Sequence, residues 1–280
     1  MIDGKAGNVL TNQKASSRCN ICGVGPKKMN DIDHVLGLHC HTEFYKFSFP
    51  ILHSWIRFME YALHISYNLD FQKGEARGSV NKELKKVRKS EIQKSLRSRL
   101  RITVDVVKQG AGTTNTGNVA RTFFAQSKEV SKIIGVNEEF LSRLYVILQI
   151  ISCKKIVNLV LFKDYCLETA KRCVEMYPWY KMPPSVHKIL IHGCDIMIEF
   201  PKPIGYYSEE AQEASNKIFR KARAEHSRMF QRSQTNEDII HYFMVSSDPV
   251  ISSCRKRSKK TEQQLTSEAT KFIITSEEME

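Results

Sequence analysis

The sequence predicts a mainly α-helical protein. Apolar residues recur at helical spacing in several long segments, strand-like alternation is scarce, and proline and glycine mark the breaks between segments. The chain has 280 residues, of which 41% are hydrophobic and 26% are charged. This size and composition are typical of one large globular domain or two modest ones.

The first half of the chain contains two predicted helices. From Phe44 to Tyr67 apolar residues follow a helical pattern, and Pro50 is expected to kink or divide that helix. After a polar linker over 70–80, a strongly basic helix is predicted over 82–108. One apolar stripe is expected along this second helix: Leu84, Val87, Ile92, Leu96 and Leu100.

The second half begins with a Gly/Thr-rich loop over 109–118 and is helical after it. The predicted helices cover residues 119–134, 138–158, 161–176, 186–197, 209–230 and 236–246. Proline-containing breaks precede the fourth and fifth of these helices, and Ser185 and Ser208 are their candidate N-caps. Residues 249–280 are predicted to be a disordered tail.

The charge of the chain points to a polyanionic partner. The formal net charge is +13, which favours nucleic acid. The alternative is a soluble protein that is basic without such a partner. No apolar run approaches the ~20 residues of a membrane helix, so no membrane span is expected. Without a secretion signal, the eight cysteines suggest reduced thiols or metal ligands rather than disulfides.

Two pairs of residues have the spacing of metal ligands. Cys19 and Cys22 form a C-x2-C motif among turn-forming residues, and His187 and His192 form H-x4-H on a predicted helix. Together they would complete a tetrahedral Cys2His2 zinc site. The alternative is that the histidines are ordinary helix residues and the thiols are free. Other candidate ligands nearby are His34, His39, Cys40 and His41, although Cys40 is also typical of a small buried residue, and packing is expected for Cys153, Cys166 and Cys173.

Acidic and basic residues follow one another closely on the helix predicted after Ser208. Glu213 can serve as a Mg²⁺ ligand if other acids meet it, and the bases that follow can contact phosphates. The alternative is a solvated helix with i,i+4 pairs such as Glu213–Lys217. Asp3 is a second candidate carboxylate, at what resembles a strand end; the alternative is an isolated aspartate without a role.

These motifs, in this order and at similar spacing, resemble the C-terminal half of Transib transposases, a family to which the catalytic subunit of the vertebrate V(D)J recombinase is related. The matching segments are MIDGK, RCNICG, LHCHTEFYK, TGNVAR, HKILIH and SEEAQEASNKIFRKAR. By position in these segments, the resemblance implies that Asp3 and Glu213 are catalytic. It also implies that the two cysteines and two histidines hold a structural Zn²⁺.

The resemblance also implies a domain organisation. An RNase H-like nuclease core is interrupted before its last helix by a large helical, zinc-binding insertion domain. Here residues 1–10 would be a strand remnant of a truncated core, 11–205 the insertion, 206–248 the helices that include the catalytic glutamate, and 249–280 a disordered basic tail. The family reaction depends on Mg²⁺ or Mn²⁺: water nicks the DNA, and the freed 3′-hydroxyl attacks another phosphodiester.

The matching region starts at the second catalytic aspartate, so we expect the chain to be inactive alone. Candidate partners are double-stranded DNA and either a second copy of the chain or a missing N-terminal half. The candidate DNA-binding residues are Arg97, Arg99, Arg101, Lys217, Arg220, Lys221 and Arg223. The alternative function is a zinc-stabilised DNA-binding module without catalysis. The segment from Cys254 to Lys260 resembles a nuclear import signal, so the expected location is the nucleus.

Overall fold

The protein is mainly helical, as predicted. The computed structural model describes residues 4–13, 15–109, 112–254 and 264–274. The α-helices are α1 (Gly4–Leu10), α2 (Ile32–Leu36), α3 (Ile51–Tyr67), α4 (Gly78–Leu100), α5 (Gly117–Ala125), α6 (Ser127–Ile134), α7 (Glu138–Ser152), α8 (Leu159–Met176), α9 (Pro184–Ile198), α10 (Glu210–Glu225), α11 (Arg232–Ser247), α12 (Pro249–Cys254) and α13 (Ser267–Thr270). Two 3₁₀ helices cover Thr42–Phe47 and Ile204–Tyr207. Strand pairing within the described ranges is limited to two isolated bridges, Val107 with Thr113 and Val157 with Ile273.

The chain divides into two compact units. The first comprises Met1–Ser208 and Leu265–Glu280, and the second comprises Glu209–Gln264. None of the helices in the described part of the chain has the length and apolarity needed to cross a membrane.

The N-terminal segment differs from its prediction. Residues Gly4–Leu10 form α1, so the expected strand remnant over 1–10 is wrong for this stretch. Its sequence has no alternation of apolar and polar residues that would favour a strand, and a helix satisfies its backbone hydrogen bonds locally. Asp3 lies outside the described residues, and the RNase H-like core remains a prediction.

The core of the first unit is centred on α3 and α7. Pro50 divides the predicted helix over 44–67, because a 3₁₀ helix precedes it and α3 begins directly after it. Trp55 of α3 is fully buried, and its indole N–H donates to the Ser152 hydroxyl at the end of α7 (2.8 Å). Its ring also lies edge-on to Phe124 of α5, with centroids 6.2 Å apart. Aromatic packing therefore fixes three helices around one side chain.

The basic helix α4 packs through its C-terminal half. Ile92 and Leu96 are buried, but Leu84 and Val87 are exposed, so the predicted apolar stripe is only partly correct. The helix ends at Leu100 rather than 108, because Arg101 adopts a left-handed conformation (φ 56°).

Two further predicted helices have different bounds. The helix expected over 119–134 is split at Gln126, whose φ and ψ of −112° and 34° are not helical, into α5 and α6. Gly117 begins α5 where a Cβ would meet a terminal methyl group of Leu52 on α3, so a larger residue would require that side chain to shift. Helix α7 ends at Ser152 instead of 158, because Cys153 is extended.

A C-terminal strap, defined as Leu265–Ile274, packs on the first unit. Its Thr266 hydroxyl donates to Oε1 of Gln149 on α7 (2.8 Å), and its Phe272 ring packs against Phe162 and Tyr165 of α8. The N–H of Ile274 donates to the Ile156 carbonyl (3.0 Å). The prediction of a disordered tail over 249–280 is therefore wrong for this segment, and also for Pro249–Cys254, which forms α12. The candidate import signal lies outside the described residues beyond Cys254.

The second unit contains α10, α11 and α12. Arg228 after α10 donates to both carboxylate oxygens of Asp238 on α11, at 2.8 and 3.1 Å. The Phe219 and Phe243 rings of the same two helices stack with centroids 6.3 Å apart. Helix α10 starts at Glu210 with Glu209, not Ser208, at its N-cap, and it ends at Glu225 rather than 230.

Candidate metal centre

The two cysteines lie on one tight backbone turn before α2. The Cys19 N–H donates to the Val24 carbonyl (3.0 Å), and the Gly23 N–H donates back to the Cys19 carbonyl (2.9 Å). Gly23 has a φ of 69°, a conformation that glycine adopts without a Cβ penalty. The Ile21 N–H donates to the Cys19 sulfur (3.4 Å), which favours a thiolate. The turn therefore positions Cys19 and favours the thiolate form of its side chain.

The two histidines lie on α9. This helix begins at Pro184, with Pro183 rather than Ser185 at its N-cap, and a proline at the first position needs no N–H partner. His187 and His192 are 0% and 2% exposed, and their ring centroids are 5.2 Å apart. Both imidazoles are thus enclosed by protein on one helix.

The structure brings the two pairs together. The Sγ of Cys22 lies 3.4 Å from Nε2 of His187, although the residues are 165 positions apart. The candidate ligand atoms of Cys19, Cys22, His187 and His192 all lie within 4.8 Å of one another, and all four residues are buried. This cluster can hold a metal ion such as zinc.

The electrostatics of the thiol pair favour one thiolate before any metal binds. The pKa of Cys19 is lowered well below its usual range, first by a hydrogen bond from Cys22 and then by His187 and His192, against the opposing effect of burial. The pKa of Cys22 is raised, first by Cys19 and then by burial. The first proton therefore leaves readily, while loss of the second needs a cation at the site.

The arrangement of the donors fits zinc. Zinc bonds of about 2.0–2.3 Å in a tetrahedron separate ligand atoms by roughly 3.3–3.8 Å, so the 3.4 Å contact needs no adjustment. Nε2 of His192 and Nδ1 of His187 are buried without a hydrogen-bond partner among the described residues. An unpaired buried polar atom costs about 1–3 kcal/mol, and a metal bound at Nε2 of His192 would remove that cost there.

The other candidate ligands are not part of the cluster. His34, His39 and His41 are exposed. Cys166 and Cys173 are buried between helices, as packing predicts, whereas Cys153 and Cys40 are only half-buried. Cys40 lies beside His192, with its Sγ 3.8 Å from Nδ1. Sequence spacing gave no indication of this contact, because the residues are 152 positions apart.

Glu213 lies in the first turn of α10 and is exposed. The pair with Lys217, which belongs to the alternative of a solvated helix, is not formed within ion-pair distance in the described second unit, where Lys221 pairs with Glu225 (3.7 Å). Glu213 belongs to no metal-binding group found among the described residues. The catalytic roles of Asp3 and Glu213 thus remain predictions.

The predicted DNA-binding residues are exposed on two helices. Lys217, Arg220, Lys221 and Arg223 lie on α10. Arg97, Arg99 and Arg101 lie at the C-terminal end of α4, and no carboxylate of the described residues is within ion-pair distance of them. The pKa of Glu129 on α6 is lowered, first by Lys132 and also by the more distant charges of Arg99 and Lys128.

Compared with profiles of known protein families, the chain matches none, and no curated protein matches it either.

Proposed function

We propose that this chain is the helical part, stabilised by a bound zinc ion, of a DDE-type DNA transposase or recombinase related to Transib transposases. Its partner would be double-stranded DNA and its location the nucleus. The observation that supports the proposal is the convergence of Cys19 and Cys22 with His187 and His192, the four residues that the sequence resemblance implies as ligands. Four protein ligands fill a tetrahedral zinc site and leave no position for a reactive water, so the zinc would be structural.

In this proposal the helix α10 supplies one catalytic carboxylate, Glu213, and the bases that bind the DNA backbone. Glu213 would bind Mg²⁺ or Mn²⁺ together with Asp3 and a further aspartate of a complete core, supplied by an N-terminal half. The bases one to three turns further along α10 would hold the phosphate backbone beside the reacting bond. Without those additional core residues we expect no cleavage by the chain alone.

The second candidate is a zinc-stabilised DNA-binding module without catalysis. The exposed guanidiniums of Arg97, Arg99 and Arg101 favour it, because no carboxylate of the described residues lies within ion-pair distance of them and they are available to phosphates. In this case binding depends on these cations and is independent of Glu213.

One set of assays separates the candidates. The purified 280-residue chain is analysed for zinc, for duplex binding across a salt series, and for nicking of terminal-repeat DNA with Mn²⁺. Glu213→Gln is compared with Glu210→Gln, which removes a carboxylate from the same helical turn. Nicking that only Glu213→Gln abolishes supports an enzyme active by itself. Zinc with salt-dependent binding and no nicking supports the binding module or an incomplete core, and adding the missing part distinguishes these two. Absence of zinc overturns both candidates.

A further inference from the structure

Cys40 is held against the metal centre by the backbone. The N–H of the adjacent His41 donates to the carbonyl of Ile21 (2.9 Å), which lies between the two cysteine ligands. This bond ties the segment between α2 and the first 3₁₀ helix to the cysteine turn. As a result, the Cys40 sulfur lies 3.8 Å from Nδ1 of His192 on α9.

The two nitrogens of His192 have different surroundings. Nδ1 faces the Cys40 sulfur, whereas Nε2 is buried and has no hydrogen-bond partner within the described residues. A neutral imidazole binds a metal through one nitrogen and carries its proton on the other. His192 also interacts with the Cys19 thiol of the cluster. Because Nδ1 faces Cys40, which lies outside the four-residue cluster, Nε2 is the atom left for the metal.

We infer that Cys40 is a positioning residue of the metal centre, whose sulfur accepts the Nδ1–H of His192 and thereby directs Nε2 at the ion. The inference rests on the proposed zinc site. The thiol hydrogen of Cys40 has its own acceptor in the Leu38 carbonyl (3.9 Å), so the sulfur accepts from His192 while remaining protonated. Cys40 lies outside the group of four whose ligand atoms are within 4.8 Å of one another, so we place it beside the ligands rather than among them.

His187 provides an internal comparison. Its Nε2 lies beside the Cys22 sulfur, but its Nδ1 has no hydrogen-bond partner in the described structure. His187 therefore has no partner at Nδ1 that would direct its Nε2, whereas His192 has Cys40. Loss of Cys40 should affect the His192 side of the centre only.

Metal affinity of the full-length chain tests the inference. Zinc affinity is measured by competition with a chelator for the wild type, Cys40→Ala, Cys40→Ser and the control Cys153→Ala, which removes another half-buried thiol. Loss of a partner to a ligand histidine typically weakens metal binding about 10–100-fold, so we expect this for Cys40→Ala. Cys40→Ser retains an acceptor and should recover most of the affinity, and Cys153→Ala should match the wild type.

Spectroscopy shows whether Cys40 acts through His192. In the Co²⁺-loaded chain, the thiolate-to-cobalt absorption should have the same intensity in the wild type and all variants, because none removes a ligand. In the zinc-loaded wild type, ¹⁵N NMR of the imidazoles should show His192 bound through Nε2 with a proton on Nδ1. Unchanged affinity in Cys40→Ala, a weaker cobalt band in the Cys40 variants, or metal on Nδ1 of His192 would each overturn the inference. Failure of the wild type to bind either metal would instead reject the proposed zinc centre.

Discussion

The side chain of Asn30 forms a hydrogen bond with the backbone of Met182, 152 positions further along the chain. The Met182 N–H donates to Oδ1 of Asn30 (2.8 Å), and Nδ2 of Asn30 donates to the carbonyl of Tyr180 (3.0 Å). This pair joins the N-terminal segment to the connection between α8 and α9. It therefore closes the same long loop as the candidate metal centre, but without a metal.

Replacing Asn30 with alanine should destabilise the first unit. Met182 is 2% exposed, so its buried N–H would lose its partner, at a cost of about 1–3 kcal/mol. Urea unfolding at saturating zinc measures the change in free energy. Asn118→Ala is the control, because Asn118 is exposed and its side chain has no hydrogen bond within the described part of the chain; its effect should be within about 0.5 kcal/mol. Equal changes for the two variants would contradict the role of Asn30.

Removal of zinc should lower the stability of the first unit. A metal that binds only the folded state adds about 4 kcal/mol when its free concentration is a thousand times the Kd. We therefore expect Tm, followed by circular dichroism in zinc-buffered solutions, to rise with free zinc. Cys22→Ser should abolish this dependence, whereas Cys254→Ser, at an exposed thiol, should preserve it. A Tm that does not respond to free zinc in the wild type would argue against the site.

The C-terminal strap should contribute to the stability of the first unit. Phe272 is 7% exposed and packs on two aromatic rings of α8, so Phe272→Ala should cost about 3 kcal/mol. The neighbouring Lys271 forms a surface ion pair with Glu268, and Lys271→Ala should change stability by less than about 1 kcal/mol. Chemical denaturation of the two variants makes the comparison. Similar small effects would mean that the strap is not stably packed.

The sequence predicted local features better than long-range ones. Helical spacing identified α3 and α7, and motif spacing identified the four candidate ligands, because each signal lies within a few residues. The strap was missed because its apolar residues Leu265, Ala269, Phe272 and Ile273, although at helical spacing, span only two turns among polar and charged residues. The exposure of Leu84 and Val87 depends on how much of α4 meets the core. The proximity of Cys40 to His192 depends on the fold bringing distant segments together, which no local pattern records.

The arginines at the end of α4 should determine the salt dependence of DNA binding. Each phosphate that a cation neutralises adds about 0.9 to the slope of log K against log salt concentration. Replacing Arg97, Arg99 and Arg101 with glutamine should therefore reduce the slope by about 0.9 for every one of these arginines that binds a phosphate. Fluorescence anisotropy with one duplex, from about 50 to 200 mM NaCl, measures the slope.

A second triple variant separates this surface from total charge. It replaces Arg57, Arg172 and Lys271 with glutamine, which removes the same charge from cations that already have carboxylate partners. If both triple variants reduce the slope equally, total charge governs binding and the end of α4 is not a specific phosphate-binding surface. A selective reduction in the α4 variant would identify this surface as the one that binds phosphates, because the net charge is matched between the two variants.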